Sequence, residues 1–286
     1  MRNTILSMSV NNKYIKGPEF GNIGNLLKGS VSRKKFLYLF RKTKSASRRY
    51  GLGVELATIE PTMVRQLRPL IEVLRNEIRD LPIATAHLPH QTINIASVNE
   101  SQRKNAVKQQ SEWIRFYAKI GVKIIVVHPA GELINGKFGQ LYGTLERDNA
   151  IASLFELDDV AKSHGMVCGF ENLVKIPHKT GKKFNDRTTF SSRNEIIDLT
   201  DLGLNVVWDT LHWRQSGYKL QEWIEAGLLR KTVLAHIVGG TRKHGKITQN
   251  SQEVWAFNQL PENIPATLEP DDYCDLRPSL VSLGLI

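Results

Sequence analysis

The sequence predicts a single (β/α)8 barrel, and two observations carry that expectation. Apolar, β-branched runs recur eight times along the 286 residues, and helical patterns with one apolar side lie between them. Several runs are continuously apolar rather than alternating, as in strands of a parallel sheet covered on both faces. Strands alternating with helices require right-handed crossovers, and eight such units in about 250 residues suit a closed barrel.

The strands are expected at 5–10, 52–59, 82–88, 122–128, 166–171, 204–209, 233–238 and 266–269. Helices are expected over 62–79, 100–120, 147–164, 192–201 and 219–229, where apolar residues fall at three- and four-residue steps. The basic stretch Lys28–Arg49 falls largely on a first helix, outside the barrel. An open doubly wound sheet is the alternative. It would usually place a glycine-rich phosphate turn after its first strand, and Gly17, Gly21, Gly24 and Gly29 lack that spacing. No internal repeat or low-complexity linker divides residues 1–286, so one domain is expected.

Composition narrows the class. Apolar content is 41% and charged content 23%, which excludes general disorder. No run of about 18 apolar residues offers a membrane span, and the N-terminus has no long apolar core. The cysteines Cys168 and Cys274 make no disulfide framework, so a cytoplasmic setting is expected. The net charge of +11 is unevenly spread. Nine basic residues and no acid lie between Lys28 and Arg49, and a second cluster runs from Lys175 to Arg193. Such patches attract phosphorylated ligands or nucleic acid, although charge runs are more often a wet face.

Polar residues close the apolar runs. His87 ends one strand and His90 follows it, His128 ends the next, then come Glu171, Asp209 with His212 three residues later, His236, and Glu269. The C-terminal strand ends of a barrel converge on one mouth. Alone, each has a bland reading: a buried histidine satisfied by its neighbours, or Asp209 capping the next helix through the backbone of Leu211 or His212. Together, three carboxylates ending apolar strands would repel one another unless a divalent cation lay between them. The nitrogen and oxygen donors suit zinc, manganese, cobalt or iron, and magnesium less well. Two carboxylates on opposite walls also suit proton removal and return, with the metal stabilising an enediolate oxygen.

The strand-end motifs HLPH at 87–90, VVHPAGE at 126–132, GFENL at 169–173, WDTLHW at 208–213, LAHIVGG at 234–240 and TLEP at 267–270 resemble the xylose-isomerase-like barrels. That superfamily includes sugar isomerases, ketose 3-epimerases, inosose dehydratases and endonuclease IV-type apurinic-site endonucleases. The epimerase pattern implies metal ligands Glu171, Asp209, His236 and Glu269; His128, at a strand end beside them, is a further candidate ligand. It implies that Glu171 and Glu269 also exchange the proton. His212 and Arg242 are then substrate contacts, and His87 is a further candidate contact. The endonuclease pattern implies a zinc cluster in which His87 and His128 match additional ligands. It also carries an Asp-x-His step after the strand-seven histidine. Here TRKHGK stands instead, with Arg242 in place of an acid and His244 too close behind, which argues against a third metal. The expected activity is therefore a metal-dependent isomerase or epimerase of a sugar or sugar phosphate. The alternative is an apurinic-site phosphodiesterase acting on nucleic acid.

Overall fold

The structure is a computed structural model, and it describes residues 4–8, 33–57, 63–90, 93–129, 144–174, 190–240, 244–269 and 273–286. Its strands are β1 (Thr4–Met8), β2 (Gly53–Ala57), β3 (Ala84–His87), β4 (Ile124–Val127), β5 (Val167–Glu171), β6 (Val206–Asp209), β7 (Thr232–Ile237) and β8 (Ala266–Leu268). All pair in parallel and in sequence order, and β1 also pairs with β8, closing the barrel. Each strand lies within two residues of its expected bounds.

Side chains alternate between two surroundings along the strands. Ile124, Val126, Val207 and Leu234 form a small cluster inside the barrel. Ile125, Val127, Val206, Trp208, Ala235 and Ile237 belong to the larger apolar layer between sheet and helices. This double burial explains the continuous apolar runs. It also sets the phase of the mouth: one step of two beyond Val126, Val207 and Leu234 places His128, Asp209 and His236 on the inner face. Gly169 keeps the floor open for its neighbours, since a Cβ there would lie 2.7 Å from Val233 Cγ2.

The helices are α1 (Arg33–Arg49), α2 (Met63–Leu67), α3 (Ile71–Arg79), α4 (Glu100–Ile120), α5 (Thr144–Ser163), α6 (Arg193–Asp201), α7 (Thr210–Gln215), α8 (Leu220–Glu225), α9 (Gln252–Gln259) and α10 (Leu276–Ser282). α4 matches its expected span. Asn99 caps it by accepting from the Gln102 N–H at 3.1 Å, and Gly121 ends it in the left-handed conformation with φ 97°. Two expected helices are corrected. Residues 62–79 are not one helix, because Pro69 cannot donate into a helical ladder, and a 3-10 turn at Arg68–Leu70 separates α2 from α3. Residues 219–229 stop at Glu225, where Gly227 takes φ 71° and a 3-10 turn over Leu228–Lys231 leads into β7. The short helices α7, α9 and α10 are not among those the periodicity predicts.

The first basic cluster is partly neutralised. Lys44 is buried and its Nζ lies 2.6 Å from Glu77, while Arg41 and Arg48 pair with Glu77 and Asp80 of the α3 region. Three of the eight cations of α1 therefore tie it to the α3 region. Cys168 is buried and Cys274 exposed, with no disulfide between them. Among the described residues no helix is long and apolar enough to cross a membrane. The glycines at 17–29, most of the second basic cluster and Arg242 lie outside the described residues.

The pairing of β2 with β3 leaves no room for a side chain at Gly53, where a Cβ would stand 2.4 Å from the Ile83 carbonyl oxygen. That carbonyl accepts the Val54 N–H at 3.1 Å. Gly53→Ala is expected to cost about 1–3 kcal/mol by forcing the strands apart, read as a lower urea midpoint.

Candidate metal centre

Glu171, at the end of β5, is the hub of the mouth and is almost fully buried. Its Oε2 lies 3.1 Å from His87 Nε2 and 2.9 Å from His128 Nε2. Its Oε1 lies 3.1 Å from His212 Nδ1 and 3.7 Å from His236 Nδ1. The two oxygens of one carboxylate thus face two separate groups of histidines.

On the Oε1 side, His236 Nδ1 has three carboxylate oxygens around it: Glu171 Oε1 at 3.7 Å, Glu269 Oε1 at 3.7 Å and Asp209 Oδ2 at 3.9 Å. Ligand atoms about 2.1 Å from a shared ion stand roughly 3.4 Å apart at a tetrahedral angle, so this set is close to a coordination shell. Asp209 divides its work. Oδ1 caps α7 by accepting the His212 N–H at 2.7 Å, as the helix-cap reading anticipates, and Oδ2 is left without a hydrogen-bond partner. His236 Nδ1 is also buried without one. Two orphaned polar atoms aimed at one point, with two further carboxylate oxygens beside them, fit a divalent cation.

On the Oε2 side, His87 Nδ1 lies 3.0 Å from the Leu88 carbonyl and must carry the proton to bond it. In the neutral ring, Nε2 then presents a lone pair toward Glu171. His128 faces the same oxygen, so a second ion between these rings and Glu171 is compatible with the donors. His90 stacks on His128, with centroids 4.0 Å apart and an interplanar angle of 23°.

Electrostatics follow from this crowding. Burial would raise the Glu171 carboxyl, but the facing His128 and His236 rings outweigh it and hold it well below the ordinary carboxylate range. Burial raises Asp209; the neighbouring His212 opposes the rise and the Glu171 charge adds to it. Burial opposes a charge on His236, yet Glu269, Glu55 and Glu171 push it well above the usual histidine value. For His212 burial is again outweighed, chiefly by Asp209 and Glu171, and the ring rises to about 9. Protonated histidines therefore do what a cation would do, which is to hold carboxylates together in a dry site.

The mouth thus gathers Glu171, Asp209, His236, Glu269, His87, His128 and His212. Arg242 lies outside the described residues, and its place in the site is untouched by this geometry. Three contributors escape a reading of strand ends. Glu55 lies inside β2 and meets His236 Nε2 at 3.3 Å; a lone charge in the apolar run VEL is the available signal. Asn172 braces Asp209, accepting its N–H at 2.7 Å and donating to its carbonyl at 3.1 Å. His244 reaches Glu269, with Nδ1 3.5 Å from Oε2, beside an antiparallel bridge between Gly239 and Gly245. Nothing in TRKHGK marks that pairing.

Residues 48–259 match the sequence model of the family described as xylose isomerase-like TIM barrel. The chain belongs to that family. Solved structures agree on the fold. A D-tagatose 3-epimerase-like protein superposes with a TM-score of 0.65 at 16% identity, over 99% of this chain and 98% of that one. An L-ribulose 3-epimerase gives 0.67 at 13%, over 100% and 87%. Endonuclease IV from Thermus thermophilus gives 0.57 at 17%, over the whole of both chains. At such identities the likeness is one of fold. No curated protein matches the sequence.

The raised His212 sets a pH expectation for protein stripped of metal. Its folded value of about 9 lies above the unfolded value near about 6.5, so its stabilisation is complete below the lower value and is lost as pH rises through the upper one. Thermal unfolding in a chelator should show a falling midpoint across that window, and His212→Asn should flatten the slope.

Proposed function

We propose that this chain is a metal-dependent isomerase or epimerase acting on a keto sugar or sugar phosphate. The observation that carries the reading is the placement of Glu171 and Glu269. They end strands on different walls of the barrel, and each presents an oxygen 3.7 Å from His236 Nδ1. A substrate seated over that point has one carboxylate on each side.

Glu171, Asp209, His236 and Glu269 would hold the ion. When bound, it supplies positive charge to the oxygen of the carbonyl whose neighbouring carbon loses a proton. The chain does the rest. One of Glu171 and Glu269 takes the proton from that carbon, and the other returns one to the opposite face or to the adjacent carbon. The first outcome inverts the centre and the second moves the carbonyl. His212 stands 3.1 Å from Glu171, within reach of a substrate hydroxyl at the same point. His87 and Arg242 are further proposed contacts, and the basic stretch after β5 is where a phosphate group would be held. The printed names of the neighbouring epimerases support this class of substrate.

A second reading is favoured by one specific observation. His87 Nε2 and His128 Nε2 both face Glu171 Oε2, which suits a second ion bridged by that carboxylate. Such a pair supports an apurinic-site phosphodiesterase, in line with the likeness to endonuclease IV. The pairing of Arg41, Lys44 and Arg48 with Glu77 and Asp80 leaves less of α1 for a phosphate backbone.

Metal analysis separates the two: one bound divalent ion per chain fits the isomerase, and two fit the phosphodiesterase. In D2O, a panel of ketoses and their phosphates should incorporate deuterium beside the carbonyl, and no exchange in any of them would remove the first reading. Glu269→Gln is expected to slow exchange by about 10²–10⁴-fold, with a smaller change in KM. Duplex DNA with one abasic site, incubated at low salt with zinc, should remain intact; incision would install the second reading.

A further inference from the structure

We propose that Glu55 is a positioning residue that fixes His236 as a metal ligand through Nδ1. This rests on the reading that Glu171, Asp209, His236 and Glu269 hold a divalent ion. The imidazole has two nitrogens, and only one can carry the proton in a neutral ligating ring. Nε2 lies 3.3 Å from Glu55 Oε2, and Nδ1 faces the three carboxylate oxygens at the mouth. An ionised carboxylate only accepts, so Glu55 draws the proton to Nε2 and leaves the Nδ1 lone pair aimed at the ion.

Glu55 is itself held in place. It lies in the middle of β2, opposite Thr85 of β3, and is fully buried. Its Oε2 accepts from Thr85 Oγ1 at 3.0 Å and from Thr267 Oγ1 at 3.5 Å. Thr267 is in turn the register partner of His236 on β8. Hydroxyl groups from β3 and, across the barrel interior, from β8 thus converge on one carboxylate oxygen of β2, which also meets the ring from β7.

A structural role alone does not account for this arrangement. Among the described residues the ion pair of Glu55 is with His236. A buried carboxylate without a lysine or arginine is costly, and an apolar residue would fill the same layer of the barrel at less cost. What the carboxylate adds is orientation and basicity in the ring above it, as in carboxylate–histidine–metal triads. It also adds a fourth negative group near His236, which further favours a dication over an empty pocket.

The test is metal affinity, read by titration of zinc or manganese against a competing chelator. Glu55→Gln keeps the size and an accepting oxygen but loses the charge. It should bind metal about 10–100-fold more weakly than the wild type. Equal affinity in the two proteins would overturn the proposal and leave the metal site intact. A wild type that takes up no divalent ion would overturn the underlying reading and this proposal with it. Should Glu55→Gln fail to fold, two further measurements decide. Thr267→Val, which removes one support of Glu55, should give a smaller loss of affinity, and unchanged affinity counts against the proposal. In zinc-loaded wild type labelled with 15N-histidine, long-range 15N–1H correlations should show a ring bound at Nδ1 and protonated at Nε2. His236 bound through Nε2 would overturn it.

Discussion

Mutual repulsion of buried carboxylates is the constraint around which this barrel mouth is arranged. Closure of a parallel sheet brings Glu171, Asp209 and Glu269 to one end, and all three lie within 3.9 Å of a single ring nitrogen of His236. Three negative charges in so buried a site cannot persist unless positive charge sits among them. Histidine protonation provides some, and His236 and His212 are both raised for that reason. A divalent ion provides more, and with better geometry, because it can meet all the oxygens at once. Asp209 Oδ2 and His236 Nδ1, both buried without a hydrogen-bond partner, are atoms that such an ion would satisfy.

The scaffold contributes rigidity rather than chemistry. Asp209 shows how. Its backbone is clamped by Asn172, one of its oxygens caps α7, and the remaining oxygen has one direction left to face. Similar economy holds for Glu171, whose two oxygens serve two histidine groups. A site assembled from strand ends over a packed interior moves little, and pre-aligned groups need no reorganisation when charge develops on a substrate. The same rigidity makes single contacts below the mouth consequential. A carboxylate in the middle of β2 can decide which nitrogen of a β7 histidine faces the site.

One cluster of ligands supports two chemistries because they differ in how the second side of Glu171 is used. Proton transfer at carbon needs two carboxylates flanking a single polarising ion. Phosphodiester cleavage develops negative charge on both the attacking water oxygen and the leaving oxygen, which paired ions are suited to stabilise. The rings of His87 and His128 make the second arrangement chemically accessible, while the ion pairs of α1 offset part of the charge that a nucleic-acid backbone would require. The family therefore fixes the scaffold and leaves the substrate open.

Eight strands, their parallel order and the mouth they share are legible in the residues alone, because double burial leaves continuous apolar runs and a barrel puts every strand's end on one face. The candidate ligands are legible for a related reason: Glu171, Asp209 and Glu269 are charged residues that end apolar runs. Helix boundaries are less so, since Pro69 and Gly227 cut helices that periodicity extends. Which atoms meet is a property of the closed barrel. Glu55 lies mid-strand, and whether it faces helices or interior depends on the phase of β2 against its neighbours. His244 meets Glu269 beside the bridge between Gly239 and Gly245. The division of Asp209 between a helix cap and the site, and of Glu171 between two histidine groups, depends on distances across the barrel. Local pattern records what each strand must bury. The contacts between strands far apart in sequence are set by closure, and closure is where the chemistry of this mouth is assembled.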